Sequence, residues 1–148
     1  MAFYFPLQVL LHFRQSVEHQ QELRLRAVNQ LVARVRHLIE QIDARLQQLQ
    51  TVQSHDLGVG TSGAELRFAV SCEENLQQQR QAMHHELVRL QTLRDEQQRI
   101  FQQARRERET FESLRDHQFR EYQREAKRRQ QRQQDDLFLM RQAYLRRS

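Results

Sequence analysis

Three glycines within six residues, Gly58, Gly60 and Gly63, are nearly all the turn-forming chemistry this chain owns, because Pro6 is its only proline and it has no other glycine. Average usage would supply about 12% Gly plus Pro, or roughly eighteen such residues in 148. Every strand pairing needs a turn, and turns draw on these residues. The composition therefore excludes β-rich and α/β folds and predicts an all-α chain of two very long helices joined at the glycine cluster. A hydrophobic fraction of 38%, an aromatic fraction of 7%, no Trp and a mean hydropathy of -0.92 are too polar for one thick core. A narrow apolar seam between helices fits better.

The local signals place the helix ends. Ser62 followed by Glu65 forms a capping box that starts the second helix, and Gly58 reads as the C′ residue of the first. Pro6 belongs in the first turn of helix one. These marks predict a single coiled-coil domain over residues 1–148, with helix one at about 6–53, a glycine turn at about 54–62 and helix two at about 63–146. At 1.5 Å per residue the helices would be roughly 70 Å and 125 Å long.

Apolar residues between 25 and 49 recur at alternating separations of 3 and 4: Leu25, Val28, Val32, Val35, Ile39, Ile42, Leu46 and Leu49. Sustained over more than three heptads, this is a coiled-coil seam. The second segment repeats it through Leu66, Ala69, Leu76, Met83, Leu87 and Leu90, and on to Phe101 and Ala104. Folding the two back antiparallel predicts facing residues whose numbers total 115, such as Val32 with Met83 and Leu11 with Ala104. On that register residues 109–148 form a single-helix C-terminal overhang, and its stripe Phe111, Leu114, Gln118 and Tyr122 faces nothing in the same chain.

Charge divides the chain. Residues 1–100 hold 11 Arg and 11 acids, whereas 101–148 hold 13 Lys plus Arg against 8 acids, so the whole net charge of +5 falls in the last third. Lys127 is the one lysine among 24 basic residues, and arginine suits bidentate contacts to carboxylate or phosphate. The single Cys72 has no internal disulfide partner, which fits a reducing cytoplasm. The apolar opening Ala2–Leu11 lacks the flanking signals of a secretory leader, and no run reaches the roughly 20 apolar residues of a bilayer span. A soluble chain, or one held at a membrane by others, is expected.

Chemistry-bearing motifs fail on context. The stretch Gly58-Val59-Gly60-Thr61-Ser62-Gly63 matches GxGxxG, but a helix enters it where a dinucleotide site needs a strand, and Ala64 stands where a P-loop needs Lys. His12, His19, His37, His55, His84, His85 and His117 form no metal-ligand spacing. Carboxylates interleave with arginines, as in Arg105-Arg106-Glu107-Arg108-Glu109, and read as salt-bridged helix faces. No catalytic residue, metal site, cofactor or small-molecule substrate is expected. The basic stretch Arg105–Arg132, with Phe111, Phe119 and Tyr122, leaves nucleic-acid binding as an alternative, although eight acids dilute it and a zipper-type reader carries its basic region before the seam.

Three segments resemble one family. The opening Phe3-Tyr4-Phe5-Pro6-Leu7-Gln8-Val9-Leu10-Leu11-His12-Phe13-Arg14 with Glu18, the turn followed by Gly63-Ala64-Glu65-Leu66-Arg67, and the charged tail Arg105–Asp116 with its Phe111-Glu112-Ser113-Leu114-Arg115 core and Tyr122, Arg124, Glu125, Asp135 and Asp136 beyond, are similar to the flagellar export protein FliJ family. The resemblance implies a non-enzymatic stalk and escort component of the flagellar type III export apparatus. Such a stalk would link a hexameric export ATPase to the membrane export gate, with export chaperones as further partners, in the cytoplasm at the inner membrane and without membrane insertion. Injectisome stalk proteins share the architecture and remain an alternative. On this reading Arg106, Phe111, Leu114, Arg115, Arg120, Tyr122 and Arg124 would meet the ATPase ring. The apolar tip residues Leu57, Val59, Phe68 and Val70 would meet the gate.

Overall fold

A computed structural model describes residues 2–60 and 62–147; Thr61, within the expected turn and the GxGxxG match, lies outside the described residues, as do the two terminal residues. Two α-helices make up most of the described residues, α1, Gln8–Val59, and α2, Gly63–Arg147, and there is no strand among them. The fold is an all-α helical hairpin. Two compact units are distinguished, Met1–Glu18 with Gln103–Ser148, and His19–Gln102.

The helix ends follow the physics of unsatisfied backbone groups, with shifts from the sequence expectation. Helix α1 continues six residues past its expected end, through Gly58 to Val59. Its left-handed terminal residue is Gly60, at φ +94°, whose N–H donates to the Asp56 carbonyl at 2.8 Å. That single bond from C′ to the carbonyl four residues back closes the helix. Gly58, expected at C′, is an ordinary helical residue. Ser62 caps α2: its Oγ accepts from the Glu65 N–H at 3.2 Å and its carbonyl accepts from Leu66 N–H. Pro6 lies just ahead of α1, in a turn closed by the Gln8 N–H donating to Phe5 C=O at 3.1 Å.

In the 19–102 unit the core is a stripe. Val32, Val35, Ile39 and Leu90 form a buried cluster with Met83 and Leu87 packed against it, and Ile42 and Leu46 are buried beside them. Leu25, Val28, Leu49, Ala69 and Leu76 are half-buried, whereas Leu66, next to the turn, is exposed. Near that end Gln53 occupies the seam, and its Nε2 is buried without a hydrogen-bond partner. The seam therefore weakens toward the turn. Burial of this kind contributes roughly 25 cal/mol per Å², so a stripe a few side chains wide depends on the length over which it is repeated.

The facing register differs from the expected one by about one heptad. In the 19–102 unit Asp43 pairs with Arg80 at 2.7 Å, residue numbers totalling 123, and Gln97 donates to Gln21 Oε1 at 2.7 Å, totalling 118. Among residues 2–18 and 103–147, Arg14 pairs with Glu107, totalling 121, and Phe3 packs on Phe119, totalling 122. These values bracket 122, which is the total for Val59 and Gly63, the residues on either side of the turn. The expected 115 assumed that α1 stopped near residue 53. Moving its end to Val59 lengthens the paired region by most of a heptad, and an apolar repeat that recurs every seven residues still meets its partner after such a slide.

Two outcomes are expected. With Cys72 replaced by Ser, cysteines at positions 32 and 90 should form an intramolecular disulfide. The pair at 32 and 83 should not, because one heptad displaces the partner Cα by about 10 Å, beyond the roughly 7 Å that a disulfide spans; efficient crosslinking of 32 with 83 alone would reject the register. At the turn, Gly58→Ala, with no atom within 4 Å of the added Cβ, should raise thermal stability by about 0.5–1 kcal/mol, and Gly60→Ala should lower it by about 1–2 kcal/mol.

Candidate interaction surfaces

Around the turn, the four apolar residues expected at the gate are all exposed. Leu57 and Val59 lie on the last turn of α1, Phe68 and Val70 on the second turn of α2, and Phe68 is the most open of the α2 pair at 73%. Val70 shares a shallow groove with Leu66, Arg67, Ser71 and Glu74. Phe68 stands about 200° around the helix from Val70, so the two present different faces. An exposed phenyl ring gains nothing in the isolated chain; it is surface available for burial by something else.

The second surface belongs to residues 2–18 and 103–147. Leu11 is fully buried, Phe5 and Ala104 are nearly so, and Phe111 is half-buried. The non-helical start of the chain supplies Phe3, whose ring meets Phe119 edge-on at 5.1 Å between centroids and Tyr122 at 5.5 Å; Phe119 and Tyr122 stack at 6.5 Å. Such aromatic contacts contribute about 0.5–1.5 kcal/mol each beyond area burial. The stripe Phe111, Gln118 and Tyr122, expected to face nothing, is thus partly covered by the chain's own first residues. Leu114 is 38% exposed and lies at its margin. The exposed overhang begins later than expected: every described residue from 123 to 147 is exposed.

Ion pairs lock this region. Arg108 donates through Nε to Glu18 Oε2 at 2.6 Å and through Nη2 to Glu18 Oε1 at 3.3 Å, and its Nη1 reaches Glu112. Both Arg108 and Glu18 are about four-fifths buried, so the pair is less screened than a surface bridge. Hydrogen bonding to Glu18, with Glu112 adding to it, raises the guanidinium pKa further above its ordinary value. A raised basic pKa contributes stability at every pH below the unfolded value and is lost only as pH climbs through the folded one, so this pair stays intact across neutral pH on the arginine side. Arg14 makes the neighbouring cross-helix pair with Glu107 and lies 5.7 Å from the Phe13 ring centroid.

The arginines expected at the ATPase ring are bonded differently. Arg106, Arg115, Arg120 and Arg124 are all exposed, and none makes an ion pair among the described residues. Six of the eight arginines of α2 up to Arg108 have a carboxylate within 4.0 Å, the exceptions being Arg67 and Arg106. Of the ten Lys and Arg after Arg108, Arg129 alone has one among the described residues, Glu125. Arg106, Arg120 and Arg124, at separations of 14 and 4, share one solvent-facing side of α2, away from Tyr122 and Phe111. The arrangement offers positive charge beside a partly covered aromatic patch, with no converging acid or base and, among the described residues, no cluster of three or more His, Cys, Asp or Glu placed to hold a metal.

Two exposed apolar groups escaped the seam pattern. Near the start Tyr4, Val9 and Phe13 are exposed, and near the end Leu137, Phe138, Leu139, Met140 and Tyr144 are at least 59% exposed. Four consecutive apolar residues in an otherwise polar, arginine-rich stretch were the available signal for the second group. Among the described residues, no helix is long and apolar enough to cross a membrane.

The sequence model of the family described as Flagellar FliJ protein matches residues 3–148. Nothing among curated proteins and no solved structure matches the chain. A match over essentially the whole length, on a two-helix hairpin, establishes the relationship: the chain belongs to the flagellar FliJ family of flagellar export components.

Proposed function

We propose that this chain is a non-enzymatic stalk and escort component that links a hexameric export ATPase to the membrane export gate, working at the cytoplasmic side of the inner membrane. The observation that carries this reading is the change in arginine pairing along α2. Arginines that stabilise the hairpin have carboxylate partners, while Arg106, Arg115, Arg120 and Arg124 stand exposed without one, next to Phe119 and Leu114. An acid-lined ring interior would supply the missing carboxylates, and aromatic side chains would anchor the contact. Each exposed charge pair contributes about 0.2–1 kcal/mol, so several must act together.

Binding rather than turnover follows from how the acids are used. Glu18, Asp43, Glu107 and Glu112 each lie against an arginine of the hairpin, so they serve as ion-pair partners in its closure. At the turn, Leu57, Val59, Phe68 and Val70 supply the apolar contact for the gate, with export chaperones as further clients of the same chain.

Replacing Arg106, Arg115, Arg120 and Arg124 together with Ala should leave the melting transition within about 0.5 kcal/mol of the parent, as expected for exposed, unpaired side chains. Affinity for the purified ATPase ring should fall at least tenfold; full affinity in the quadruple variant would remove these arginines from the interface. At the other end, Phe68→Ser with Val70→Ser should weaken binding to the cytoplasmic part of the gate at unchanged helicity measured by circular dichroism. Unaltered gate binding would take the tip out of the reading.

A further inference from the structure

The side of α2 that packs on the start of the chain does not end where that packing ends. From Tyr122 the same side continues through Ala126, Gln133, Leu137, Met140 and Tyr144, at separations of 4, 7, 4, 3 and 4, which is the seam spacing. Ala2 borders a groove lined by Tyr122, Glu125, Ala126, Arg129 and Gln133, so the start of the chain reaches the beginning of this track while Ala126 and Gln133 stay exposed. Leu137, Met140 and Tyr144 lie past it and are 59%, 69% and 75% exposed. Phe138 and Leu139, from the same apolar run, point more than 90° away from this side.

Charge selects what can lie there. Residues 126–147 hold seven cations, Lys127, Arg128, Arg129, Arg132, Arg141, Arg146 and Arg147, against two acids, Asp135 and Asp136, a net +5. Two copies of so basic a segment would repel when laid side by side, which disfavours a homodimer through this track. A bilayer surface would suit an apolar face bordered by basic residues, but here Phe138 and Leu139 fall outside the seam and Arg141 falls between Leu137 and Leu145, so the apolar arc that lying on lipid requires is broken. A helix with its own 3-and-4 apolar stripe and glutamates beside it satisfies both the seam and the charge.

We propose that Ala126, Gln133, Leu137, Met140 and Tyr144 form a docking track on which an acid-flanked amphipathic helix of another protein continues the coiled coil. The inference goes beyond the ring-and-gate reading and does not depend on it, since it concerns a stretch of α2 beyond Arg124 and residues that the ring reading does not use.

The test uses the full-length chain and a synthetic four-heptad helix with Leu at the seam positions and Glu on both flanks, followed by fluorescence anisotropy. Saturable binding is expected, weakened at least tenfold by Leu137→Ala, Met140→Ala and Tyr144→Ala together, and changed less than twofold by Phe138→Ala with Leu139→Ala. Alanine keeps helix propensity in both sets, so the pair of off-seam changes controls for lost apolar surface. The proposal is overturned by no binding, by equal binding of a peptide with Lys flanks, or by equal weakening in the two variant sets. Two further results would replace it: seam-dependent binding to phosphatidylglycerol vesicles without peptide binding, which makes the track a lipid contact, or a seam-dependent dimer in sedimentation equilibrium, which makes the occupant a second copy.

Discussion

A two-helix seam with a seven-residue repeat has no unique way to close. Sliding one helix past the other by a heptad returns apolar side chains to apolar neighbours, so burial alone leaves several registers close in energy. The decision falls to the turn. Because Gly60 carries the left-handed conformation and its N–H closes α1 on Asp56, α1 runs to Val59, Ser62 caps α2 within three residues, and the facing numbers in each unit gather around 122. Polar pairs then add specificity where the apolar stripe thins: Asp43 with Arg80, Gln21 with Gln97, Glu18 with Arg108. A heptad slip would leave the Glu18 and Arg108 charges without each other while largely buried, a far larger penalty than the modest gain that an exposed pair supplies.

The sequence carried the fold class because that rests on a deficit. Four residues of Gly and Pro do not supply the turns of a sheet, and no tertiary contact can restore them. The choice between Gly58 and Gly60 was not legible in the same way. Both glycines satisfy a C′ position, and the difference lies in a helix that continues through Gly58 at a local cost of about 1 kcal/mol because the turn closes only later. That choice accounts for two of the six residues by which α1 runs past its expected end at 53, and the whole extension goes with the displaced register. Seam positions such as Val32 and Leu90 kept an apolar environment throughout, since a slide by a full repeat exchanges neighbours without changing their kind.

The covering of Phe119 and Tyr122 was hidden for a different reason. Helical periodicity describes residues that rise 1.5 Å each, whereas the non-helical residues ahead of Pro6 advance by up to about 3.3 Å. A few such residues travel alongside more of α2 than an equal number of helical ones, which is how Phe3 meets two aromatic rings and Ala2 reaches a groove that extends to Gln133. Pattern matching on 3 and 4 has no means of seeing a segment that is not a helix. The aromatic spacing in Phe3 and Phe5 was visible, but it reads equally well as the first turn of α1.

Burial and charge pairing both change character along α2, and they do so near the same place. Up to Arg108, the seam residues are buried or half-buried in part and six of the eight arginines have a carboxylate within 4.0 Å; after Tyr122 every described side chain is exposed, and Arg129 is the one cation among the described residues beside an acid within ion-pair distance. The hairpin could close equally well on a neutral extension, because its own stability makes no use of those cations. Net charge that is not needed for folding raises the cost of leaving the segment unneutralised, through mutual repulsion of neighbouring arginines spaced one turn apart. Acidic partners relieve that repulsion on binding, and the relief is greatest where apolar residues hold the partner in place. The pairing of exposed charge with an exposed continuation of the seam therefore makes the last quarter of α2 the part of the chain whose energetics are completed by another molecule.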